Sequence, residues 1–277
     1  MKKTMKYMLF ALFLALILWT LWANTALELN CHEIYSPVLP QAFDDFRIAQ
    51  VSDLHNARFG EGNTKLLSLL KEAAPDIIVI TGDVVDCNRT DIDTASNFVT
   101  EAMKIAPCYY VTGNHEAALT ESEYRKLEAA VAGCGAEVLR DRAVSLERSG
   151  GTVCLVGLDD PGFIAADKKL DTAERIQSLV PRDGFTILLA HRPEHFEAYC
   201  RAGVELVFSG HAHGGQVRLP VVGGLYAPGQ GLLPQYDAGL YTRDDTAMLV
   251  SRGIGNSLMP LRFNNRPEII IAILHSE

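Results

Sequence analysis

The feature that most constrains this chain is a repeated one: a short apolar segment followed at once by a polar cluster. One such segment, Ile77-Ile78-Val79-Ile80, is a continuous apolar run bounded by Pro75 and Gly82, which is typical of a buried strand. Ligand sites of open α/β sheets lie beyond the carboxyl ends of the strands, where these clusters are expected. The five clusters are Asp53-Leu54-His55, Gly82-Asp83-Val84-Val85-Asp86, Gly113-Asn114-His115-Glu116, Ala190-His191 and Gly210-His211-Ala212-His213.

Helical patterns separate the strand-like segments. Residues 63–73 carry apolar side chains at the i, i+3, i+4 spacing of an amphipathic helix, and residues 121–132 are also predicted to be helical. A chain of 277 residues could form two domains, but the alternation over residues 46–277 predicts one α/β domain. The Gly- and Pro-rich stretch 223–237 is expected to be a long loop, and long loops in compact domains are often functional.

Composition excludes several classes of protein. Hydrophobic residues make up 48% of the chain and charged residues 21%, which excludes a disordered chain. The formal net charge of −9 argues against broad electrostatic binding of a nucleic acid duplex. Six cysteines without a CxxC pair exclude a disulfide scaffold and a cysteine-based zinc knuckle. No obligate protein partner is evident in the sequence.

The N-terminal segment predicts a membrane anchor. Residues 1–6 form a basic tail, and residues 7–23 are apolar except for Thr20, enough for a transmembrane helix of about 25 Å. Lysines at the start favour a cytoplasmic N-terminus, so we expect a single-pass protein of the cell membrane with its larger part extracytoplasmic. A cleaved signal peptide and a buried core helix remain as alternatives. Residues 24–45 are predicted to be a polar connector, with a short strand at its start as an option.

The polar clusters have the composition of a metal site. Asp53 and His55 are separated by one residue, and so are His211 and His213, so an extended chain would turn each pair toward one ion. Each cluster alone has a plain structural explanation, such as a turn or a hydrogen-bonded core histidine. Together, five clusters at five strand ends indicate a shared site.

The whole motif set resembles the calcineurin-like metallophosphoesterase superfamily. It reads D-x-H, G-D-x-x-D, G-N-H-E, an isolated H and G-H-x-H, within a resemblance that covers residues 46–274. The stretches 48–56, 190–194, 210–216 and 226–231 look like the membrane-anchored bacterial phosphodiesterase branch. The resemblance implies a four-layer α/β/β/α sandwich of two mixed β-sheets flanked by helices, with a two-metal site at the carboxyl ends of strands.

The resemblance also implies the ligands. One metal would be held by Asp53, His55, Asp83 and His213. The other would be held by Asp83, Asn114, His191 and His211. Oxygen and imidazole donors without sulfur suit Mn²⁺, Fe²⁺ or Zn²⁺ better than Ca²⁺ or Cu(I). Outside the membrane we expect Mn²⁺ or Zn²⁺ rather than Fe²⁺, with Mn²⁺ favoured.

The implied reaction is hydrolysis of a phosphodiester by a metal-bridging hydroxide, which needs no protein nucleophile. His115 would protonate the leaving oxygen or orient the phosphate. Asp86 would pair with His115 and favour its protonated form, although it could also be a simple turn carboxylate. Arg252 and Arg58 are candidate phosphate ligands because the guanidinium group matches phosphate oxygens. Arg89 and Arg192 are further candidates, and each of the four could equally be an ordinary surface or structural arginine.

The expected substrate is a phosphoester at the membrane or cell wall, such as a lipid-linked phosphodiester. A lipid pyrophosphate hydrolase acting on UDP-2,3-diacylglucosamine is an alternative, and a metal-stabilised binding protein without turnover is an alternative of another class. Two apolar groups could overhang the metals or touch the bilayer, or could simply cover the edge of a sheet. They are Leu225, Tyr226, Leu232 and Leu233 in the long loop, and Leu258, Met259 and Leu261.

Overall fold

A computed structural model describes residues 2–164, 171–181, 184–257 and 259–277. Residue 1 of the predicted basic tail and Leu258 of the second apolar group lie outside these ranges. The helices are α1 (Lys2–Ala23), α2 (Thr64–Ala73), α3 (Ile92–Met103), α4 (Asn114–Ala117), α5 (Glu121–Gly133), α6 (Thr172–Gln177) and α7 (Phe196–Ala202). The strands are β1 (Glu28–Ser36), β2 (Phe46–Val51), β3 (Ile77–Thr81), β4 (Cys108–Val111), β5 (Glu137–Val138), β6 (Arg142–Arg148), β7 (Gly151–Gly157), β8 (Thr186–Leu189), β9 (Leu206–Ser209), β10 (Arg218–Leu219), β11 (Gly223–Gly224), β12 (Tyr226–Ala227), β13 (Gly231–Leu232), β14 (Gly239–Arg243), β15 (Thr246–Val250) and β16 (Glu268–Ser276).

Two six-stranded mixed sheets form the centre of the fold. The first has the order β1-β16-β2-β3-β4-β5, in which β2 to β5 run parallel. The second has the order β14-β15-β9-β8-β7-β6, in which β15, β9, β8 and β7 run parallel. Parallel strands connected by helices bring their carboxyl ends to one edge of each sheet.

The core has three apolar layers. Side chains from the inner faces of both sheets, such as Val79 and Phe208, pack against each other in the middle layer. The outer face of the first sheet packs against α2, α3 and α5, and that of the second against α6 and α7. The predicted four-layer sandwich of two mixed sheets flanked by helices is therefore confirmed.

The segment predicted to be a connector is instead part of the first sheet. β1 pairs in parallel with β16 over nine residues, from Glu28 opposite Glu268 to Ser36 opposite Ser276. β16 is almost completely buried, and β1 covers its outer edge. The strand that pairs with β1 lies at the opposite end of the chain, so the local pattern of residues 24–45 does not reveal this pairing.

The predicted transmembrane segment is the exposed helix α1. Within the described part of the chain it is the one helix long and apolar enough to cross a membrane, and none of its residues from 3 to 22 is buried, whereas Ala23 at its end is. The buried core helix considered from sequence is therefore excluded. The stretch expected to be a long loop is also more ordered than expected, since it contains the antiparallel pair β12–β13 and the strand β11, which pairs with β10 just before the stretch.

Candidate metal centre

The two sheets meet at their carboxyl ends, and the predicted ligands lie there. β2, β3 and β4 lead into Asp53, Asp83 and Asn114, while β8 and β9 lead into His191 and His211. A buried glutamine joins the sheets just below this edge. The side-chain amide of Gln50 donates to Thr81 Oγ1 at 2.9 Å and to the Ser209 carbonyl at 2.8 Å, so one residue holds strands of both sheets in register.

The side chains form two groups that share one carboxylate. The first contains Asp53, His55, Asp83 and His213, and the second contains Asp83, His191 and His211. Asp83 Oδ2 lies 3.6 Å from His55 Nε2 and 3.2 Å from His191 Nε2, so a single oxygen faces both groups.

The remaining short contacts complete both groups. His213 Nε2 lies 3.1 Å from His55 Nε2 and 3.4 Å from Asp53 Oδ1. Asn114 Oδ1 lies 3.2 Å from His191 Nε2, which adds an amide oxygen to the second group. All seven residues predicted as ligands are thus brought together.

The backbone reaches this arrangement by tight turns, not by the extended chain expected from sequence. Asp53, His55 and Asp83 have left-handed φ values of 52°, 46° and 52°, and His211 and His213 have 65° and 48°. Such values are uncommon outside glycine and concentrate at functional sites. Gly82, at φ 87°, has no room for a side chain, because a Cβ would lie 2.7 Å from the Gly113 backbone nitrogen.

Hydrogen bonds from surrounding groups orient the site. His191 Nδ1 lies 2.7 Å from the Thr81 carbonyl oxygen, an arrangement that leaves Nε2 free to bind a metal. The His211 amide donates to both oxygens of Asp53, at 3.0 and 3.2 Å. The His115 amide donates to Asp83 Oδ1 at 2.8 Å, which turns the other oxygen of Asp83 toward the histidines.

A buried glutamate that the sequence analysis did not single out fixes the two central loops. Glu116 accepts hydrogen bonds from the amides of Gly113, Asp83 and Val84 at 2.7, 2.8 and 2.8 Å. Burial, followed by repulsion from Asp83, raises the pKa of Glu116 to about 7. Its place in the Gly-Asn-His-Glu motif was the available signal, but the motif alone does not reveal which backbone groups Glu116 binds.

Burial controls the charge of the candidate ligands. It raises the pKa of Asp53 to about 6 and lowers that of His55 to about 4. Burial also lowers the pKa values of His211 and His213. Burial would lower the pKa of His191 too, but the charge of Asp83 outweighs it and raises the value to about 10. His55, His211 and His213 are therefore neutral at neutral pH, and each has a nitrogen lone pair available to bind a metal. His191 differs because it pairs with Asp83.

These residues fit a pair of divalent cations. The Nε2 atom of His211 is buried without a hydrogen-bond partner among the described residues, and the nearest carboxylate oxygen, of Glu194, is 3.9 Å away. An orphaned buried nitrogen is costly unless it binds something. The donor set of imidazole nitrogens, carboxylates and one amide oxygen suits Mn²⁺, Fe²⁺ or Zn²⁺.

His115 lies at the edge of the site, but its partners differ from those expected. The Cys87 amide donates to His115 Nδ1 at 3.1 Å, and Asp86 Oδ1 is 3.7 Å from the same nitrogen, too far for a hydrogen bond. Asp86 instead accepts from the Asn88 amide at 2.9 Å and from Arg89 at 2.8 Å. Burial alone would raise the pKa of Asp86, but these hydrogen bonds have the larger effect, so the pKa of Asp86 is lowered. Asp86 therefore lies within ion-pair distance of His115 but makes no hydrogen bond to it.

The two arginines predicted to bind phosphate are occupied elsewhere. Arg252 is largely buried and bonds the carboxylates of Glu268 at 2.7 Å and Glu28 at 2.9 Å. Arg58 is exposed and pairs with Asp91 at 2.8 Å, facing a different cavity from the one beside His115. Neither guanidinium lines the cavity beside His115, and the carboxylates that bind these arginines come from other segments of the chain.

A cavity of about 680 Å³ opens beside His55 and Asp86. Among the four arginines considered from sequence, Arg89 is the one that lines it, and its guanidinium also pairs with Asp86. Arg192 is bound to Asp160 at 2.6 Å. Among these four arginines, the cavity is therefore lined by one, and its side chain is exposed.

Two further residues near the site were missed by the sequence analysis. Ser257, in the loop that lines the cavity, has its Oγ 3.1 Å from His115 Nε2. Arg262 is completely buried and lies 3.4 Å from His213 Nδ1. Neither belongs to a local motif, since both lie far along the chain from the residues they contact.

Comparison with known proteins agrees with this geometry. The family profile described as calcineurin-like phosphoesterase matches residues 46–215, more than half of the chain. The chain belongs to this family and is a metal-dependent phosphoester hydrolase. The resemblance drawn from the five motifs is thereby confirmed.

Individual relatives narrow the class further. The chain is 32% identical to the metallophosphoesterase YkuE of Bacillus subtilis over 259 residues, which cover 90% of this chain and 86% of that protein. It is 30% identical to the phosphodiesterase YaeI of Escherichia coli over 227 residues, which cover 81% and 80% of the two chains. The sulfate thiohydrolase SoxB of Thermus thermophilus has a similar fold, with a TM-score of 0.54 at 13% identity over 86% of this chain and 57% of that one.

Proposed function

We propose that this protein is a membrane-anchored phosphodiesterase that uses two divalent metal ions, with Mn²⁺ favoured over Zn²⁺ and Fe²⁺. The observation that carries this proposal is the position of Asp83 Oδ2, within 3.6 Å of His55 Nε2 and 3.2 Å of His191 Nε2. A shared carboxylate oxygen between two sets of nitrogen donors is what a two-metal site requires. The similarity to the phosphodiesterase YaeI supports a diester as substrate.

The ligand assignment follows the two groups. Asp53, His55, Asp83 and His213 would hold one ion. Asp83, His191 and His211 would hold the other, together with the amide oxygen of Asn114. When bound, two such ions supply an activated water nucleophile near neutral pH and offset negative charge on phosphoryl oxygens.

The protein's own contribution is orientation and proton transfer at the edge of the site. His115 lies against His55, with ring centroids 4.4 Å apart, so a phosphoryl group near the ligands would be within its reach. The Cys87 amide occupies Nδ1 of His115, so the ring carries its proton on Nε2. Nε2–H would donate to a phosphoryl or leaving-group oxygen. Arg89, at the mouth of the cavity, would attract the negatively charged substrate.

Helix α1 supports a location at the membrane. Its exposed apolar surface is long enough to span a bilayer, and the lysines at its start favour a cytoplasmic N-terminus. The catalytic domain would then lie at the outer face. Since the site is held close to that face, we propose a phosphodiester linked to lipid or to the cell wall as the substrate.

The test compares Asp83→Asn with Asp86→Asn in the full chain purified in detergent. Bound metal is measured by mass spectrometry, and hydrolysis of bis-p-nitrophenyl phosphate is measured with added Mn²⁺, Zn²⁺ or Fe²⁺. Asp83→Asn should lose both ions and all hydrolysis, because its carboxylate faces both groups. Asp86→Asn, three residues further along the same loop, should keep both ions.

Two results would overturn the proposal. Retention of both ions by Asp83→Asn would contradict the shared ligand. A fully metal-loaded wild-type protein that cleaves neither bis-p-nitrophenyl phosphate nor a phosphodiester lipid in vesicles would instead favour a binding protein without turnover.

A further inference from the structure

Exposed apolar side chains outside α1 are concentrated in two segments. In the described part of the chain most of the large ones lie in residues 219–233 or 259–261. Val221, at the tip of the β10–β11 hairpin, is fully exposed. The set is Leu219, Val221, Val222, Tyr226, Leu232, Leu233, Met259 and Leu261. Contiguous exposed apolar surface of this kind marks an interaction site.

Backbone hydrogen bonds place these two segments side by side. The Arg218 amide donates to the Phe263 carbonyl at 3.0 Å, and the Phe263 amide donates to the Gln216 carbonyl at 3.2 Å. The second small hairpin joins the first, since the Leu225 amide donates to the Val217 carbonyl at 2.9 Å. We call residues 217–233 and 259–261 the apolar rim.

The apolar rim adjoins the end of α1. The side chain of Asn24, the first residue after this helix, accepts from the Arg262 amide at 2.8 Å and donates to the Arg262 carbonyl at 2.8 Å. The guanidinium of Arg266 lies 5.1 Å from the ring centre of Trp22, in the last turn of α1. These contacts fasten the helix end to the segment that carries Met259 and Leu261. If α1 crosses a bilayer, this segment lies at its surface.

The charge of the apolar rim also suits a lipid surface. The chain as a whole has a net charge of −9, yet residues 217–236 and 251–267 contain no aspartate or glutamate. Arg218 and Arg266 lie in these stretches and pair with carboxylates from neighbouring segments, Asp237 at 3.0 Å and Glu28 at 3.8 Å. An acidic protein is repelled by anionic lipid, so the side whose own segments contain no carboxylate is the side that can approach it.

The same loop borders the candidate active site. Asn256, Ser257 and Pro260 line the cavity beside His55, and Ser257 contacts His115. The cavity mouth is thus adjacent to Met259 and Leu261.

We infer that the apolar rim is a second membrane-docking surface, which inserts into the bilayer that α1 crosses and holds the metal-site cavity at headgroup level. The substrate class that follows is the headgroup phosphodiester of a lipid in that same bilayer. This inference rests on the membrane anchorage and the phosphodiesterase activity proposed above. The anchor alone would leave the orientation of the domain free, whereas the apolar rim fixes it.

The experiment places a tryptophan in the apolar rim of the full chain. Val221→Trp and Leu261→Trp are reconstituted in nanodiscs of phosphatidylcholine and phosphatidylglycerol, with and without bromine on the acyl chains. Brominated chains quench tryptophan that enters the bilayer. Wild-type nanodiscs give the contribution of the two native residues, Trp19 and Trp22, which is subtracted. Tyr35→Trp is the matched control, because Tyr35 is an exposed aromatic residue about 23 Å along β1 from Glu28.

The expected result is strong quenching of the added emission in Val221→Trp and Leu261→Trp, and none in Tyr35→Trp. If the emission of Val221→Trp and Leu261→Trp were quenched no more than that of Tyr35→Trp, the inference would be overturned. Blue-shifted but unquenched emission, with a dimeric mass, would place a second copy of the chain on the apolar rim and would also overturn it.

Hydrolysis in the same nanodiscs separates this inference from the proposed function. Bis-p-nitrophenyl phosphate reports the metal chemistry without any need for docking. Quenching without hydrolysis would contradict the phosphodiesterase proposal and leave the docking surface in place. Hydrolysis without quenching would contradict the docking surface and leave the phosphodiesterase proposal in place.

Discussion

Among single residues, His115 shows how a backbone contact decides the chemistry of a side chain. The Cys87 amide donates to Nδ1 at 3.1 Å, so that nitrogen is the unprotonated one. The ring proton therefore lies on Nε2, which donates to Ser257 Oγ at 3.1 Å. The sequence motif identifies His115 as a candidate catalytic residue. Its hydrogen bond with the Cys87 amide, which the motif does not reveal, determines which ring nitrogen carries the proton.

Removal of the His115 imidazole should impair hydrolysis without affecting metal binding. We expect His115→Ala to lower the rate with bis-p-nitrophenyl phosphate by about 100-fold or more, the usual contribution of a positioned proton donor. Ser257→Ala should have a much smaller effect, because Ser257 contacts only Nε2 and a substrate oxygen can replace it. The measurement is the rate at saturating substrate together with the metal content of each variant. An unchanged rate in His115→Ala would remove His115 from the mechanism.

Among the elements, β1 is the one whose role changes most between sequence and structure. Its nine pairs with β16 cover the edge of a strand that contains Ile269, Ile271 and Ile273. An uncovered apolar edge strand is prone to pair with other chains. Residues 24–45 are therefore a structural part of the domain and not a spacer between membrane and enzyme.

A chain that begins at Phe46 should fail to form a stable, soluble domain. A chain that begins at Asn24 lacks only α1 and is the matched control, because it keeps β1 and the contacts of Asn24 with Arg262. We expect a cooperative thermal transition for the control, and aggregation or a strongly lowered midpoint for the shorter chain. Equal thermal midpoints in calorimetry would mean that β1 contributes little to stability.

In the whole molecule, two sheets, an anchor and one loop converge on a single edge. Strands of both sheets end at the metal centre, and the loop that contains Ser257 connects the cavity to Asn24 at the end of α1. Asn256 Nδ2 lies 3.3 Å from Asn24 Oδ1, so a direct side-chain contact joins this loop to the residue that follows α1. The end of the candidate membrane helix and the candidate active site are therefore neighbours in space.

Removal of α1 should release the protein from the membrane without changing the chemistry of the metal site. The chain that begins at Asn24 should leave the membrane fraction in sedimentation, because the remaining exposed apolar surface is small compared with a spanning helix. Its hydrolysis of bis-p-nitrophenyl phosphate should match that of the full chain, since every candidate ligand remains. Hydrolysis of a phosphodiester lipid in vesicles should fall. Loss of activity toward both substrates would indicate that α1 supports the active site directly.

The sequence by itself determined the class of fold and, through the family resemblance of its motifs, the candidate ligands. Asp53, Asp83, His191 and His213 each follow a buried apolar strand, and such strands with intervening helices form sheets whose carboxyl ends meet. Local patterns suffice here because strand, turn and ligand are adjacent in the chain. The same locality explains why the predicted strand Ile77–Ile80 agrees with β3 to within one residue.

Only the tertiary structure decided which groups the long polar side chains bind and which residues contact the end of α1. Arg252 binds Glu28, and Asn24 binds Arg262, pairs that lie at opposite ends of the chain. No local pattern encodes such a pair, because which carboxylate a guanidinium meets depends on how distant strands are ordered in the sheet. For the same physical reason, the covering of β16 by β1 and the position of the cavity beside the end of α1 became visible only in the folded molecule.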